Sequence, residues 1–175
     1  MFLLPLTGDP GQAGTGPQQA GTEGRKPVPF LQTQFLERHA QFSPDSRWMA
    51  YVSSESGRTE VYVQSFPAGG GKWQVSTTGG VQPRWRRDGR ELFYLTADGK
   101  LMVVPVRAGA TFEAGTPALL FQTQLFGLGV ATQYSQQYDV TADGQRFLLN
   151  VDLSEVTAAP LTVVLNWQET VTSGK

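Results

Sequence analysis

Three short runs of the chain are apolar at consecutive positions: Trp48-Met49-Ala50-Tyr51-Val52, Leu92-Phe93-Tyr94-Leu95 and Phe147-Leu148-Leu149. They are too short for helices and too continuously apolar for half-exposed strands, so they predict strands buried on both faces. A second β-prone run follows each of them: Val61-Tyr62-Val63, Leu101-Met102-Val103-Val104 and Leu161-Thr162-Val163-Val164-Leu165. A further strand follows twice, as Lys72-Trp73-Gln74-Val75-Ser76 and Ala118-Leu119-Leu120-Phe121-Gln122. Between Leu95 and Leu101 stands Asp98-Gly99, a hairpin signal, because Gly accepts positive φ and Asp tolerates it.

What precedes each apolar run also repeats. His39-Ala40-Gln41-Phe42-Ser43-Pro44-Asp45-Ser46 is matched by Gln82-Pro83-Arg84-Trp85-Arg86-Arg87-Asp88-Gly89 and by Gln137-Tyr138-Asp139-Val140-Thr141-Ala142-Asp143-Gly144. Each copy has an apolar or aromatic residue, two linking residues, then Asp and Gly or Ser. The Asp-to-Asp spacings are 43 and 55 residues, and the first is that of a propeller blade. Each Asp is expected to close its turn by accepting backbone N–H bonds.

The fold class predicted is all-β: a partial β-propeller of antiparallel four-stranded blades, about three per chain. Blades are expected at 38–78 and 82–123, with a last one at 136–167 that lacks its outer strand. Residues 1–33 read as a partial blade, with a third strand at 2–6 and an outer strand at 28–32. Between them, residues 8–26 carry no large apolar side chain and predict a mobile Gly-rich loop. A two-sheet sandwich would leave one polar face per sheet, and these strands offer few polar positions. Residues 33–37 and 124–135, with weak helical periodicity, are expected to be loop.

Composition adds limits. Twenty Gly and eleven Pro suit many turns, and a net charge of -1 gives no electrostatic reason to expect nucleic acid or an anionic membrane. Cysteine is absent, which excludes disulfides and thiolate metal sites. No stretch approaches the roughly 20 apolar residues of a membrane span, and the apolar start at residues 1–6 is too short for a signal peptide. A soluble chain is expected.

Phe42-Ser43-Pro44-Asp45-Ser46-Arg47-Trp48-Met49-Ala50-Tyr51-Val52, with Gly57 and Val61-Tyr62-Val63 beyond it, resembles the repeat of TolB-like, WD-like β-propellers. Ser46 stands where that repeat usually has Gly, and Arg86-Arg87 and Thr141-Ala142 replace its Ser-Pro in the later copies. The resemblance extends over residues 30–167 and also points to the sensor-like propellers that follow bacterial Ser/Thr kinase domains. It implies an interaction or ligand-sensing part, an extracytoplasmic setting, and the last half of a propeller of about six or seven blades. Two copies, each lending its 28–32 strand to the other's last blade, would close a ring of about six blades, so a homodimer is expected.

Candidate chemistry is sparse. There is no Gly-x-Ser-x-Gly elbow and no phosphate-binding Gly loop ending in Gly-Lys-Ser/Thr. Arg84, Arg86 and Arg87, with Arg90 nearby, form the one basic cluster and are the candidate binding residues for an acidic protein or peptide partner. Strand alternation allows at most half of them to share a face. Trp48, Trp73, Trp85 and Trp167 are expected between blades, not in a ligand cage. The function expected is a non-catalytic binding module, with no cofactor. The alternative that the resemblance implies is a Ca2+-dependent propeller lactonase or esterase. On that reading Asp139 and Asn150 hold the ion, and His39, the one histidine, is the candidate catalytic residue.

Overall fold

The computed structural model describes residues 1–3, 27–125 and 136–151. The Gly-rich segment 8–26, the strand expected at 161–167 and Trp167 lie outside the described residues. Two compact units divide the chain, Met1–Gln34 and Phe35–Lys175. In the first, β1 (Phe2–Leu3) pairs antiparallel with β2 (Val28–Pro29). The terminal ammonium of Met1 donates to the Leu31 carbonyl at 2.6 Å.

The second unit is built from repeated meanders. β3 (Glu37–Phe42), β4 (Trp48–Ser53), β5 (Glu60–Ser65) and β6 (Lys72–Gln74) form a four-stranded antiparallel sheet in chain order. β7 (Val81–Trp85), β8 (Glu91–Leu95) and β9 (Lys100–Ala108) repeat it, with β11 (Ala118–Gln122) as outer strand. β12 (Tyr138–Val140) and β13 (Phe147–Leu149) begin a third sheet as a hairpin. Every residue of β4, and all of β8 beyond Glu91, is buried, as continuous apolar runs require when sheets stack on both sides. Phe42, Trp85 and Val140, which hold one repeat position in three successive sheets, line one hollow of about 360 Å3. First strands that converge in this way face a common axis, which makes the sheets propeller blades and not layers of a sandwich.

The turns follow the chemistry of their Asp and Gly. Asp45, Asp88 and Asp143 each accept the backbone N–H two residues on, from Arg47, Arg90 and Gln145, at 3.0–3.1 Å. Hydrogen bonds from the Thr141 hydroxyl and the Gln145 N–H hold the Asp143 carboxyl below the usual carboxylate range. The next residue is left-handed in every copy: Gly89 and Gly144 at φ 72, and Ser46 at φ 57. The repeat's Gly is therefore a backbone requirement, and Ser46 meets it at a cost of about 1 kcal/mol. At Thr96–Gly99 the Thr96 hydroxyl donates to Asp98 at 2.5 Å, and Gly99 sits at φ 80.

One strand falls where the sequence reading had only a connection. β9 runs on to Ala108 and folds back as β10 (Phe112–Ala114). Phe112 is thereby buried among Trp48, Trp73 and Trp85, with ring centroids 5.4–6.4 Å away. These three Trp pack the seam between blades. At the next seam Phe147 meets Phe93 and Phe121 edge-on at 5.1 and 5.6 Å.

Candidate functional site

The site begins in a backbone irregularity that two blades share. In β3, His39 and Ala40 stand opposite the single residue Tyr51; in β7, Gln82 and Pro83 stand opposite Tyr94. Each is a β-bulge whose first residue is left-handed, His39 at φ 55 and Gln82 at φ 54. That conformation costs a non-Gly residue about 1–2 kcal/mol and persists where other contacts hold it. For Gln82 the contacts are plain. Its side-chain oxygen accepts the Gln137 N–H at 2.7 Å, and its carbonyl accepts the Tyr138 hydroxyl at 2.9 Å. The bulge thus turns Gln82 across the seam and ties blade two to the third hairpin. Burial pushes the Tyr138 hydroxyl far up, so it stays a donor.

His39 has the same backbone without the same partners. Pro83 occupies the position that Tyr138 holds one blade later, and it has no hydroxyl to offer. His39 Nδ1 is buried and makes no hydrogen bond to a described residue. Burial first, then the nearby Arg38 and Arg84, lower the imidazole pKa to about 4. The unfolded chain, near 6.5, then binds a proton that the folded one refuses. Stability from this residue is present above pH ~6.5 and lost as pH falls toward 4. Allowing for solvent screening of a half-exposed ring, the wild type should lose about 1–2 kcal/mol more than His39→Gln between pH 7 and pH 5. Gln suits the test, since Gln82 already holds that backbone. Urea melts of both proteins at the two pH values measure the difference, and parallel pH profiles would contradict it.

Arg84, on β7, reaches the third hairpin. Its side chain is only 14 % exposed, and its Nε is 3.6 Å from Asp139, itself 70 % exposed. Arg84 Nη1 is buried without a hydrogen bond to any described residue. Arg84 and Asp139 line both the 360 Å3 hollow and a neighbouring one of about 410 Å3 beside Gln137, Leu148 and Asn150.

The other sequence candidates separate. Arg86 pairs with Glu91 at 3.3 Å and Asp88 at 3.5 Å. Arg87 is exposed at a different hollow, beside Asp45 and Asp88. The structure therefore does not bring Arg84, Arg86 and Arg87 to one place. A larger hollow of about 740 Å3, under the β9–β10 hairpin, sets Arg90 and Arg107 beside Asp88 and Glu113. Its charges of both signs balance locally.

Asp139 and Asn150 do share the 410 Å3 hollow. The Asp139 carboxylate, however, accepts its neighbour's Val140 N–H at 2.9 Å and faces the Arg84 guanidinium. A Ca2+ ion needs six to eight oxygens and would meet that fixed positive charge, so these residues do not fit it. Among the described residues no three His, Asp or Glu side chains are grouped as a metal ion requires. Gln82 is the site residue that sequence reading missed. Its one signal was a shared place with His39 and Gln137 at the head of each repeat.

The described residues define a partial β-propeller with a hollow on its first strands that Arg84 and Asp139 line. No family model and no curated protein matches the chain. Among solved structures it is similar to a candidate 6-phosphogluconolactonase from Bacteroides uniformis, at 17 % identity over 78 % of this chain and 39 % of that one, with a TM-score of 0.48. It is also similar to TolB from Acinetobacter baumannii, at 17 % identity over 73 % and 41 %, with a TM-score of 0.38. The chain spans about two-fifths of the length of either, and likeness at this level carries no chemistry across. No helix among the described residues is long and apolar enough to cross a membrane.

Proposed function

We propose that this chain is a non-catalytic propeller module that binds a protein or peptide partner through carboxylate groups received in the Arg84 hollow. One observation carries the reading. Arg84 is a deeply set guanidinium with a buried, unused N–H, and the one acid in ion-pair reach among the described residues is a well-exposed Asp. A buried charge is costly unless paired, and the planar fork of Arg matches a carboxylate with two parallel hydrogen bonds. The surroundings of His39 speak against the hydrolase alternative. A general base is oriented and supported by an acid, whereas His39 is flanked by Arg38 and Arg84.

Isothermal titration with a capped Glu-Glu-Glu peptide tests the reading, with a capped Lys-Lys-Lys peptide as control. The acidic peptide should bind and the basic one should not. Arg84→Gln, checked for an unchanged far-UV spectrum, should weaken binding about tenfold or more. Equal affinity in Arg84→Gln, or no binding of the acidic peptide, would overturn it.

A further inference from the structure

We infer that the Arg84 hollow selects a carboxylate with an aromatic side chain beside it, and that Phe42 is the residue that reads the aromatic ring. The inference rests on the Arg84 reading and names the kind of peptide the hollow takes. Its ground is a difference among three residues that hold one place in the repeat. Phe42, Trp85 and Val140 all line the hollow of about 360 Å3, and so does Arg84. Trp85 is used at the seam, buried against Phe112, with its Nε1 donating to the Gln41 carbonyl at 3.2 Å. Val140 is half-buried and packs on the core. Phe42 is 44 % exposed. Phe66, which does not line the hollow, meets its ring edge-on at 4.9 Å and braces it from outside. Pro44, exposed as well, lines the same wall. A braced ring gives up little conformational freedom when a second ring packs on it, edge-on or offset.

The charges of the hollow limit what stands beside that ring. Among its lining residues Arg84 is the one cation and Asp139 the one acid. Arg84 is set deep, with Nη1 buried and unused by any described residue, whereas Asp139 stands 70 % exposed. One carboxylate can reach the deep guanidinium, but a second would meet the Asp139 charge and be repelled. Apart from Gln41 the remaining wall, Phe42, Pro44, Trp85 and Val140, is apolar. A run of acids therefore matches the hollow at a single point, and a carboxylate flanked by a ring matches it at two. The volume sits near the small end of the roughly 300–1,000 Å3 usual for ligand pockets. That suits a side chain or two of an extended peptide and not a folded surface.

Isothermal titration of the full chain with three capped peptides, Phe-Glu-Phe, Ser-Glu-Ser and Phe-Gln-Phe, tests this. The first two carry the same charge, and the first and third carry the same rings. Phe-Glu-Phe should bind about fivefold or more tighter than Ser-Glu-Ser, tighter than Glu-Glu-Glu, and tighter than Phe-Gln-Phe. Phe42→Ala should abolish the preference over Ser-Glu-Ser and leave the affinity for Ser-Glu-Ser itself unchanged. Phe42→Leu keeps an apolar side chain against Phe66 and serves if the alanine variant melts early; it should cut the preference by about half or more. Arg84→Gln should weaken Phe-Glu-Phe and Ser-Glu-Ser alike. If acidic peptides bind in an Arg84-dependent way with no preference for the flanking rings, or with a preference that survives both Phe42 variants, this inference fails and the Arg84 reading stands. Equal binding of Phe-Gln-Phe and Phe-Glu-Phe would likewise overturn the joint recognition of ring and carboxylate. If no acidic peptide binds, both fail.

Discussion

Trp85→Ala is expected to lower the unfolding free energy by about 3–5 kcal/mol, through lost apolar burial and the cavity left behind. Trp85 ends the first strand of blade two and is buried at the seam with blade one. Its ring meets Phe112 at 6.4 Å, and Phe112 in turn touches Trp48 and Trp73. Its Nε1 crosses to the Gln41 carbonyl of β3. Removing it opens a void bounded by strands of two sheets, which cannot collapse without moving a blade. Trp85→Phe keeps a ring and loses the hydrogen bond, so it should cost about 1–2 kcal/mol. Urea denaturation of the three proteins gives the comparison. A loss below about 1 kcal/mol for Trp85→Ala would place the ring outside the core.

Glu60→Ala should cost about 3 kcal/mol, although no apolar core is lost. Glu60 opens β5 and is wholly buried. Its carboxylate accepts the Arg58 Nε–H at 2.6 Å, the Gly79 N–H at 3.0 Å from both oxygens, and the Ser76 hydroxyl. Ser76 and Gly79 belong to the connection that leaves blade one for blade two, so this single acid pins the crossing point. Alanine would leave the Gly79 N–H and the Ser76 hydroxyl without their acceptor. Arg58 is largely exposed and its share is screened, so Arg58→Ala should cost under about 1 kcal/mol. Equal losses for the two variants would show that the ion pair, not the buried hydrogen bonds, carries the effect. Thermal and urea melts measure both.

Strands and turns of blades one and two were legible in the chain because their causes are local. A run such as Trp48-Met49-Ala50-Tyr51-Val52 can only be a strand covered on both sides. The Asp-Gly pairs demand a left-handed residue at a fixed place, a demand strong enough that Ser46 adopts it too. The repeat also foretold that Trp48, Trp73 and Trp85 would pack between blades. Phe112 escaped notice because β10 exists by pairing with the end of β9 beyond Pro105, a short stretch with no large apolar run to mark it.

The site was far less legible, and for one reason. Four arginines close together in sequence look alike, yet what each can do depends on what the next blade brings against it. By itself the sequence determined the meander of strands, the turn chemistry and the absence of a nucleophile elbow. Tertiary structure alone decided that Arg84 is deep beside the third hairpin while Arg86 is neutralised by Glu91 and Arg87 faces outward. It alone bent β3 into the bulge that holds His39 left-handed with its Nδ1 buried. Turn and strand preferences act over a few residues of one chain segment. The burial of a charge is set by atoms from segments about a blade away in sequence, and only packing brings those together.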